Sequence, residues 1–299
     1  MSTANNTKVS IIIASRNVKE DLKESLTSVF ENCTKENVEV LVADNNSTDG
    51  TIELLAECFP HVKLCRSEHD NSYPSAINRG IKAATGRYLL LLDSDAIIRK
   101  ETIPEMVRFL DAHPETGAAV SKMFYPDGSV QLMARRYPTL LNSFFGRETI
   151  LTRLFPRNKI SRRYLMVDEL SSTEAFEVDW ASSACMMIRR EILDDVGLMD
   201  EGFLLYWADA DFCRRINNSG WKIYCLPQAA IIHDMRNTLD KKKSYFAIKA
   251  FHRGVYRYFR KHYTKSPFHP LNLVVFIGLS TRAALQLLLN LFKSTGRVN

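Results

Sequence analysis

The sequence lacks the short motifs that identify several common protein classes. It contains no Gly-x-Gly-x-x-Gly for a dinucleotide and no Gly-x-x-x-x-Gly-Lys for a phosphate-binding loop. Its six cysteines form no Cys-x-x-Cys pair, and no His-x-x-x-His pattern lies near them, so neither a zinc site nor a disulfide framework is indicated. Free cysteines of this kind fit a reducing cytosol. Residues 1–8 are polar, which predicts no secretory signal.

Acidic residues are scarce in the C-terminal segment, residues 236–299. This segment carries 13 Lys and Arg but only Asp240 as an acid, for a net charge of +12, whereas the rest of the chain has a net charge of −6. The overall composition, 45% hydrophobic and 25% charged, is that of a folded protein. A mildly acidic body with a basic segment suggests an enzyme or binding domain that meets an anionic surface.

The most informative stretch is an apolar run that ends in two carboxylates. Tyr88–Leu92 contains four consecutive leucines and leads directly into Asp93 and Asp95. Such a run predicts a strand buried on both faces of a parallel sheet, and ligands bind at the carboxyl ends of these strands. Paired carboxylates there suit Mg²⁺ or Mn²⁺ together with a diphosphate. Alternatively, the two acids only cap the next helix or start a turn.

Apolar strands and amphipathic helices alternate through the first part of the chain. This alternation predicts a parallel sheet with helices on both faces, and further ligand contacts at the strand ends Ser15 and Asp44. The predicted strands are Val9–Ser15, Val38–Asp44, Val62–Cys65, Tyr88–Leu92 and Ala118–Ser121, and the predicted helices are Val18–Phe30, Thr51–Cys58, Ser75–Ala84 and Thr102–Ala112. Residues 125–177 lack firm periodicity, which indicates a functional lid or disorder.

A second acidic centre follows later in the chain. A strand within Val178–Arg190 and a helix over Arg190–Val196 precede Asp209, which is placed as the N-cap of a helix that contains Asp211 and ends at Gly220. Two short strands, Lys222–Leu226 and Ala229–His233, come next. The simpler interpretation is that Asp209 and Asp211 cap the helix and pair with Arg214 or Arg215, and that His233 is a hydrogen-bonded histidine at a strand end.

Taken in order, these pieces resemble glycosyltransferase family 2, the inverting GT-A enzymes, and especially its rhamnosyltransferase-like members. The resemblance covers about residues 9–233. The motifs that carry it are Val9–Asn17, Ala43–Thr51, Asn78–Gly80, Asp93–Asp95, Val178–Trp180, Trp207–Cys213, Gly220-Trp221 and His233. It implies an α/β fold of the Rossmann-like GT-A type, with a mostly parallel central sheet, helices on both faces and additional amphipathic C-terminal helices.

The resemblance also implies roles for individual residues. It places nucleotide binding at Ser15, Asp44, Arg79 and Asp93, and a Mg²⁺ or Mn²⁺ ion at Asp93, Asp95 and His233. It makes Asp209 the general base, and puts Asp179, Trp180, Trp207 and Asp211 near the acceptor or donor sugar. Two positions depart from the family pattern: Ala208 stands where a glutamate usually precedes the base, and Ser183 where a glycine is common.

These roles form a consistent mechanism. Displacing a nucleoside diphosphate from a sugar requires a cation for the leaving phosphate and a carboxylate that takes the acceptor's proton. The expected donor is a UDP- or dTDP-linked sugar, and the acceptor is a glycan or lipid-linked hydroxyl in surface polysaccharide synthesis. Residues 1–120 would bind the nucleotide sugar and residues 121–235 would bind the acceptor within one GT-A domain. Residues 236–299 would form a basic, membrane-associating helical part.

The C-terminal segment combines basic, aromatic and apolar residues. From Lys241 to Tyr263 cationic and aromatic side chains alternate, and Leu271–Phe292 is apolar with Arg282 at its centre, in a polar stripe with Gln286, Asn290 and Lys293. A central Arg disfavours a spanning helix, so we expect a helix lying on the anionic inner face of the cytoplasmic membrane. A helix pair packed on the core is the alternative. Nucleic acid is not expected, because the apolar helix would serve no purpose there.

Two other functions fit parts of the sequence. A haloacid-dehalogenase-like phosphatase also places Asp-x-Asp after an apolar strand, but it normally does so at the first strand and with Thr or Val where Ile97 stands. A membrane-peripheral scaffold with an inactive transferase domain draws support only from Ala208.

Overall fold

The protein is described by a computed structural model that covers residues 8–33, 38–69, 72–139, 152, 154, 155, 157–234, 244–264 and 266–292. The strands are β1 Val9–Ser15, β2 Val38–Asp44, β3 Lys63–Leu64, β4 Tyr88–Asp93, β5 Ala96–Ile98, β6 Thr116–Phe124, β7 Ala134–Arg135, β8 Phe176–Glu177, β9 Trp180–Ala181, β10 Cys185–Arg189 and β11 Lys222–His233. The helices are α1 Lys19–Asn32, α2 Thr51–Cys58, α3 Tyr73–Ala83, α4 Thr102–Ala112, α5 Lys159–Tyr164, α6 Ile192–Val196, α7 Ala208–Asn218, α8 Tyr245–Phe259 and α9 Pro270–Phe292, with a 3₁₀ turn at Glu169–Ser171 and a π-helical turn at Arg260–Thr264.

One large mixed sheet organises the molecule. Its strand order is β3-β2-β1-β4-β10-β6-β11-β5, with β8 paired to β11. Strands β3, β2, β1 and β4 run parallel, and β10 lies antiparallel between β4 and β6. Helices cover both faces of the sheet, which confirms the predicted α/β class. The parallel half therefore delivers the ends of β1, β2 and β4 to one edge.

The leucine run forms the centre of the core. Strand β4 pairs with β1 on one side and β10 on the other, and Tyr88 and all four leucines are completely buried. Burial on both faces removes any need for alternating polar residues, which explains the unbroken apolar sequence. The predicted central strand is confirmed, and its last residue is Asp93.

The structure differs from the prediction at two strands that border the site, β11 and β5. Strand β11 is continuous over Lys222–His233, where two short strands were expected, because a shift in pairing between Leu226 and Ala230 lets the strand pass through Pro227. Strand β5 was not predicted. It follows Asp95 directly and pairs antiparallel with the end of β11, so that Ala96 lies opposite His233.

The loosely patterned segment 125–177 contains several short elements. Strand β7, helix α5 and the 3₁₀ turn lie within it, and Asn158 caps α5 by accepting a hydrogen bond from Ser161 N. Arg147 and Arg153 of this segment lie outside the described residues, as do Arg236, Lys241–Lys243 and Lys293 of the C-terminal segment.

The two C-terminal helices differ in their packing. Helix α8 buries Ile248, Ala250 and Tyr258 against the body. This agrees with the alternative expectation that the C-terminal segment packs on the core. Helix α9 contacts α8 and the π-helical turn, and most of its apolar side chains remain exposed. Helix α8 approaches the body closely at Gly254, where an added Cβ would lie 2.7 Å from the carbonyl oxygen of Tyr206 and 3.1 Å from the Trp207 ring.

Replacing Gly254 with alanine is expected to destabilise the protein. Alanine ordinarily favours a helix interior over glycine by about 1 kcal/mol. Here the new methyl group meets backbone that cannot rotate away, so we expect a net loss of about 1 to 3 kcal/mol. Gly278→Ala on α9 is the matched control, because nothing lies within 4 Å of its Cβ position. Urea unfolding of both variants measures the effect, and equal stability would contradict this account of the contact.

Candidate active site

Three potential metal ligands converge where β4, β5 and β11 meet. Asp93 ends β4, Asp95 precedes β5, and the antiparallel pairing of β5 with β11 brings His233 beside them. His233 Nε2 lies 3.2 Å from Asp95 Oδ1 and 3.7 Å from Asp93 Oδ2. The ligand atoms of all three residues lie within 4.8 Å of one another. The structure thus brings together the three residues expected to bind metal.

The electrostatics of this cluster fit a cation. Burial alone would lower the pKa of His233, but the carboxylates of Asp95 and Asp93 raise it. Burial raises the pKa of Asp93, and the charge of Asp95 raises it further, while His233 lowers it. Two carboxylates and an imidazole nitrogen therefore face one point at which positive charge is favoured. Carboxylates with an imidazole are a donor set that accepts Mg²⁺ or Mn²⁺.

Gln131 fixes the orientation of the His233 ring. Its amide nitrogen donates to the backbone carbonyl of His233 at 2.6 Å, so its Oε1 is the atom that lies 3.0 Å from His233 Nδ1. That oxygen can only accept, so Nδ1 carries a proton, and Nε2 is the nitrogen that either donates to the carboxylates or, when deprotonated, could bind a metal ion beside them. A partner of this kind on the other ring nitrogen is typical of metal-binding histidines.

Replacing Gln131 with leucine should therefore weaken metal binding. The His233 ring would lose the acceptor that fixes its tautomer, and we expect a fall in Mn²⁺ affinity of about 10- to 100-fold. Titration of the full chain with Mn²⁺, followed by electron paramagnetic resonance, measures the affinity without a turnover assay. Gln228→Leu is the control, because the Gln228 amide donates to the carbonyl of Thr173 at the surface. Unchanged affinity in Gln131→Leu would mean that the hydrogen bond only stabilises the fold.

Asp209 lies on the first turn of α7. Burial is the main cause of the raised pKa values of Asp93 and Tyr73, and the negative charge of Asp209 adds to both. Burial raises the pKa of Asp209 itself, whereas a hydrogen bond from Ala210 N and the nearby charge of Arg135 lower it. A carboxylate with a raised pKa accepts a proton more readily, as a general base requires.

Asp209 is not the N-cap that the sequence predicted. Helix α7 begins at Ala208, and Trp207 is its N-cap, with a left-handed φ of 74°. The Asp209 Oδ1 atom accepts a hydrogen bond from Ala210 N at 2.8 Å inside the first turn. Asp209 therefore lies inside the first turn of α7, one residue after the start of the helix.

The expected nucleotide-binding residues lie along the edge formed by β1, β2 and β4. Ser15 ends β1, and its hydroxyl is buried with no hydrogen-bond partner in the described part of the chain. Asp44 ends β2, is fully buried and accepts hydrogen bonds from the backbone and side chain of Ser47. Arg79 donates to the carbonyls of Asp44 and Cys65. Arg79 thus joins the end of β2 to the segment after β3, and the Ser15 hydroxyl is free to form a hydrogen bond with a ligand.

Two of the four residues expected near the sugars, Trp180 and Trp207, form an aromatic wall. The Trp180 and Trp207 rings stack with centroids 5.9 Å apart, and the Arg135 guanidinium lies over Trp180 at 4.7 Å. The Asp179 carboxylate accepts hydrogen bonds from Arg136 and from Tyr137 N.

Asp211 lies apart from this site. It is completely buried and accepts hydrogen bonds from Arg215 at 3.0 Å, from Lys261 at 3.0 Å and from His262 at 2.7 Å. Burial alone would raise the pKa of Asp211, but these partners hold it below its ordinary value. The ion pair with Arg215 is the one that the simpler interpretation of the sequence anticipated. Asp211 therefore joins α7 to the π-helical turn that follows α8.

Three residues at the site were not assigned from the sequence. The Tyr73 hydroxyl lies 3.3 Å from Asp93 Oδ1 and 3.2 Å from Ser183 Oγ, so it links β4 to the loop before β10. Gln131 and Arg135 come from the segment without firm periodicity. The predicted helix begins at Ser75, two residues after Tyr73, whereas the helix found begins at Tyr73. No pattern marks Gln131.

Comparisons with known proteins identify related sequences and folds. A family model described as Glycosyl transferase family 2 matches residues 10–197. The N-acetylglucosaminyl-diphospho-decaprenol L-rhamnosyltransferase of Mycobacterium tuberculosis is 28% identical over an alignment 235 residues long that covers 75% of each protein.

Two solved structures share the fold. GalNAc-T7 with UDP, GalNAc and Mn²⁺ has a TM-score of 0.58 and 18% identity, over 76% of this chain and 43% of GalNAc-T7. The mannosyltransferase PcManGT of Pyrobaculum calidifontis, in complex with GDP-Man and Mn²⁺, has a TM-score of 0.56 and 18% identity, over 96% of this chain and 74% of PcManGT. The chain thus spans less than half of GalNAc-T7. The likeness shows that the GT-A fold implied by the motifs is present.

Proposed function

The chain belongs to glycosyltransferase family 2, and from this premise we propose that it is an inverting, metal-assisted transferase that moves a sugar from a nucleoside diphosphate to a glycan or lipid-linked hydroxyl. The observation that carries the proposal is the convergence of Asp93, Asp95 and His233 at one edge of the sheet, with the carboxylate of Asp209 adding to the raised pKa of Asp93. A transferase needs a group for the leaving phosphate and a base for the attacking hydroxyl in one site.

We assign the metal site to Asp93, Asp95 and His233. When bound there, Mg²⁺ or Mn²⁺ would neutralise the charge that develops on the leaving diphosphate. Tyr73 holds the Asp93 carboxylate from the side, and Gln131 holds the His233 ring. The Mn²⁺ in the GalNAc-T7 and PcManGT structures supports this assignment without deciding between the two metals.

Asp209 is assigned as the general base. In an inverting transfer the acceptor hydroxyl attacks the anomeric carbon on the face opposite the leaving group, and its proton passes to a nearby carboxylate. Burial favours a proton on Asp209 and so increases its basicity. Ala208 replaces the usual acidic neighbour and is 1% exposed, so a larger side chain there would have to displace its surroundings.

The two halves of the domain would bind different substrates. Residues 1–120 would hold the donor through Ser15, Asp44, Arg79 and Asp93, with a UDP- or dTDP-linked sugar as the expected donor. Residues 121–235 would hold the acceptor, with Trp180 and Trp207 against a sugar ring and Asp179 supporting that wall. The decaprenol-linked substrate in the name of the mycobacterial relative supports a lipid-linked acceptor and a role in surface polysaccharide synthesis.

The C-terminal helices would attach the enzyme to the cytoplasmic face of a membrane. Pro270–Asn290 is long and apolar enough to cross a bilayer, and only 6% of it is buried. Arg282 is exposed in its middle, however, and a charged side chain at the bilayer centre costs about 2.5 kcal/mol or more. We therefore propose that α9 lies in the membrane plane with its apolar side among the lipid chains.

A donor panel tests the proposed reaction. The full chain is incubated with UDP- and dTDP-linked sugars, each with Mg²⁺ or Mn²⁺, and the release of nucleoside diphosphate is measured beside the hydrolysis of a phosphomonoester. We expect nucleotide release from at least one sugar nucleotide in the presence of metal. NMR of the product should show an anomeric configuration opposite to that of the donor. Retention of configuration would contradict the single displacement assigned to Asp209.

A further inference from the structure

A cationic cavity lies beside the π-helical turn, away from the metal cluster. It has a volume of about 430 Å³, and four basic side chains line it, Arg253, Arg257, Arg260 and Lys261, together with a single acid, Asp200. The assigned mechanism uses none of these residues. The cavity is large enough for a phosphate group and part of what carries it.

Positive charge remains in this cavity after the internal ion pairs are counted. Asp200 is paired with Arg257 at 2.7 Å and with Lys261 at 2.9 Å, and these partners hold its pKa below the ordinary value although burial opposes them. Arg253 and Arg260 make no ion pair within the described part of the chain, although Arg260 lies over the Tyr256 ring. Two guanidinium groups directed into one recess match the geometry of phosphate oxygens.

An exposed apolar surface begins at the edge of the same cavity. Tyr256 lines the cavity and its ring contacts that of Phe276 on α9, at a centroid distance of 5.6 Å. Phe268, just after the cavity-lining Pro267, is 93% exposed. The apolar side chains of α9 that are exposed are Leu271, Leu273, Val274, Phe276, Ile277, Leu285, Leu288 and Leu289. A charged recess bordered by apolar surface is complementary to a molecule with a phosphate head and a hydrocarbon chain.

The position of the cavity argues against the reacting acceptor as its ligand. Lys261 lines the cavity and binds Asp211, which points about 200° around the axis of α7 from Asp209. The cavity therefore adjoins the side of α7 opposite to the base. We propose that it binds the phosphate of an anionic phospholipid of the bilayer, while the acyl chains lie along the apolar side of α9. This inference rests on the proposed attachment of the C-terminal helices to a membrane.

The test compares two surfaces of equal charge and two variants of equal charge. Phosphatidylcholine vesicles are doped either with phosphatidylglycerol or, to the same surface potential, with oleate, and binding of the full chain is measured by flotation. The cavity variant is Arg253→Gln/Arg260→Gln. The control is Lys249→Gln/Arg282→Gln, which removes the same charge from exposed positions of α8 and α9 that do not line the cavity. Thermal melts establish that both variants fold.

We expect the unaltered chain to bind phosphatidylglycerol vesicles about tenfold more tightly than oleate vesicles. The cavity variant should lose this preference, and the control should keep it while binding both surfaces more weakly. An equal loss in both variants, or no preference in the unaltered chain, would overturn the phosphate site and leave membrane attachment in place. Failure of the unaltered chain to bind either surface would overturn the attachment itself, and the transfer reaction would remain open to its own test.

Discussion

Asp209→Asn should lower the rate of sugar transfer by about 100-fold or more while donor affinity stays close to that of the unaltered enzyme. Asparagine keeps the oxygen that accepts the hydrogen bond from Ala210 N, so the first turn of α7 should survive. It cannot take the acceptor's proton. Single-turnover transfer, measured beside nucleoside diphosphate binding, separates the loss of chemistry from a loss of binding.

The pH dependence of transfer gives an independent readout of the same residue. Asp209 acts as a base only when it is ionised, and burial raises its pKa above the ordinary value. Activity should therefore fall on the acid side at a pH above about 3.9, the usual pKa of an aspartate. The residual activity of Asp209→Asn should lack this acid limb. An acid limb that is unchanged in the variant would assign the titration to another group.

Asp211→Asn provides the contrasting control on the same helix. Its carboxylate is fully buried among Arg215, Lys261 and His262. Removing the charge weakens the hydrogen bonds to Arg215 and His262, whereas Lys261 keeps its ion pair with Asp200, so we expect a cost of about 1 to 3 kcal/mol. We expect a lower unfolding temperature but near-normal transfer per folded molecule. Slow transfer without a loss of stability would instead place Asp211 in the chemistry.

The second large effect is expected from Asp95→Ala. Loss of this ligand leaves Asp93 and His233 to hold the metal, and the remaining carboxylate would repel the donor diphosphate. Losing about 4 kcal/mol of charge stabilisation corresponds to a fall in transfer on the order of 10³-fold. In thermal shift measurements, UDP with Mn²⁺ should stabilise the unaltered chain but not the variant. Treatment of the unaltered chain with EDTA should have the same effect as the substitution.

Asp127→Asn is the matched control for the loss of a carboxylate. Asp127 lies on an exposed turn, where it accepts hydrogen bonds from the backbone and side chain of Ser129. Its substitution should leave metal-dependent stabilisation unchanged. If UDP stabilised Asp95→Ala as strongly as the unaltered chain, and EDTA had no effect on either, donor binding would not depend on the metal cluster.

Much of the fold could be predicted because its pattern is local. The β-branched and leucine-rich runs identified β1, β2 and β4, and the helical spacing gave the bounds of α4 as they are found. Strand β5 has only three residues, too few to show a period, and it is held in place by pairing with distant β11. The bulge in β11 likewise depends on its neighbour β6 and not on its own sequence.

From the residue pattern alone, the site was predictable only at the ends of strands, and the assignment of Asp209 required the family resemblance. Asp93 and Asp95 follow the apolar run Tyr88–Leu92, and His233 follows a second apolar run, Ala229–Ile232. Gln131 contacts His233 across 102 residues of chain, and an isolated glutamine in an irregular segment carries no signal. The burial of Asp211 is implied by its helical position opposite Asp209, but its partners Lys261 and His262 come from a part of the chain that composition alone assigned to the membrane.

The link from Asp211 to the π-helical turn bears on where the chain can be shortened without loss of contacts to α7. A protein cut at residue 235 would lose Lys261 and His262 and leave Asp211 buried with Arg215 as its one remaining described partner. It would also uncover the Trp207 face on which Gly254 of α8 rests. A protein that ends after Thr264 keeps both contacts and omits the exposed apolar helix. For crystallisation or directed evolution, that end point preserves the contacts of the helix that carries Asp209, whereas the compositional boundary would not.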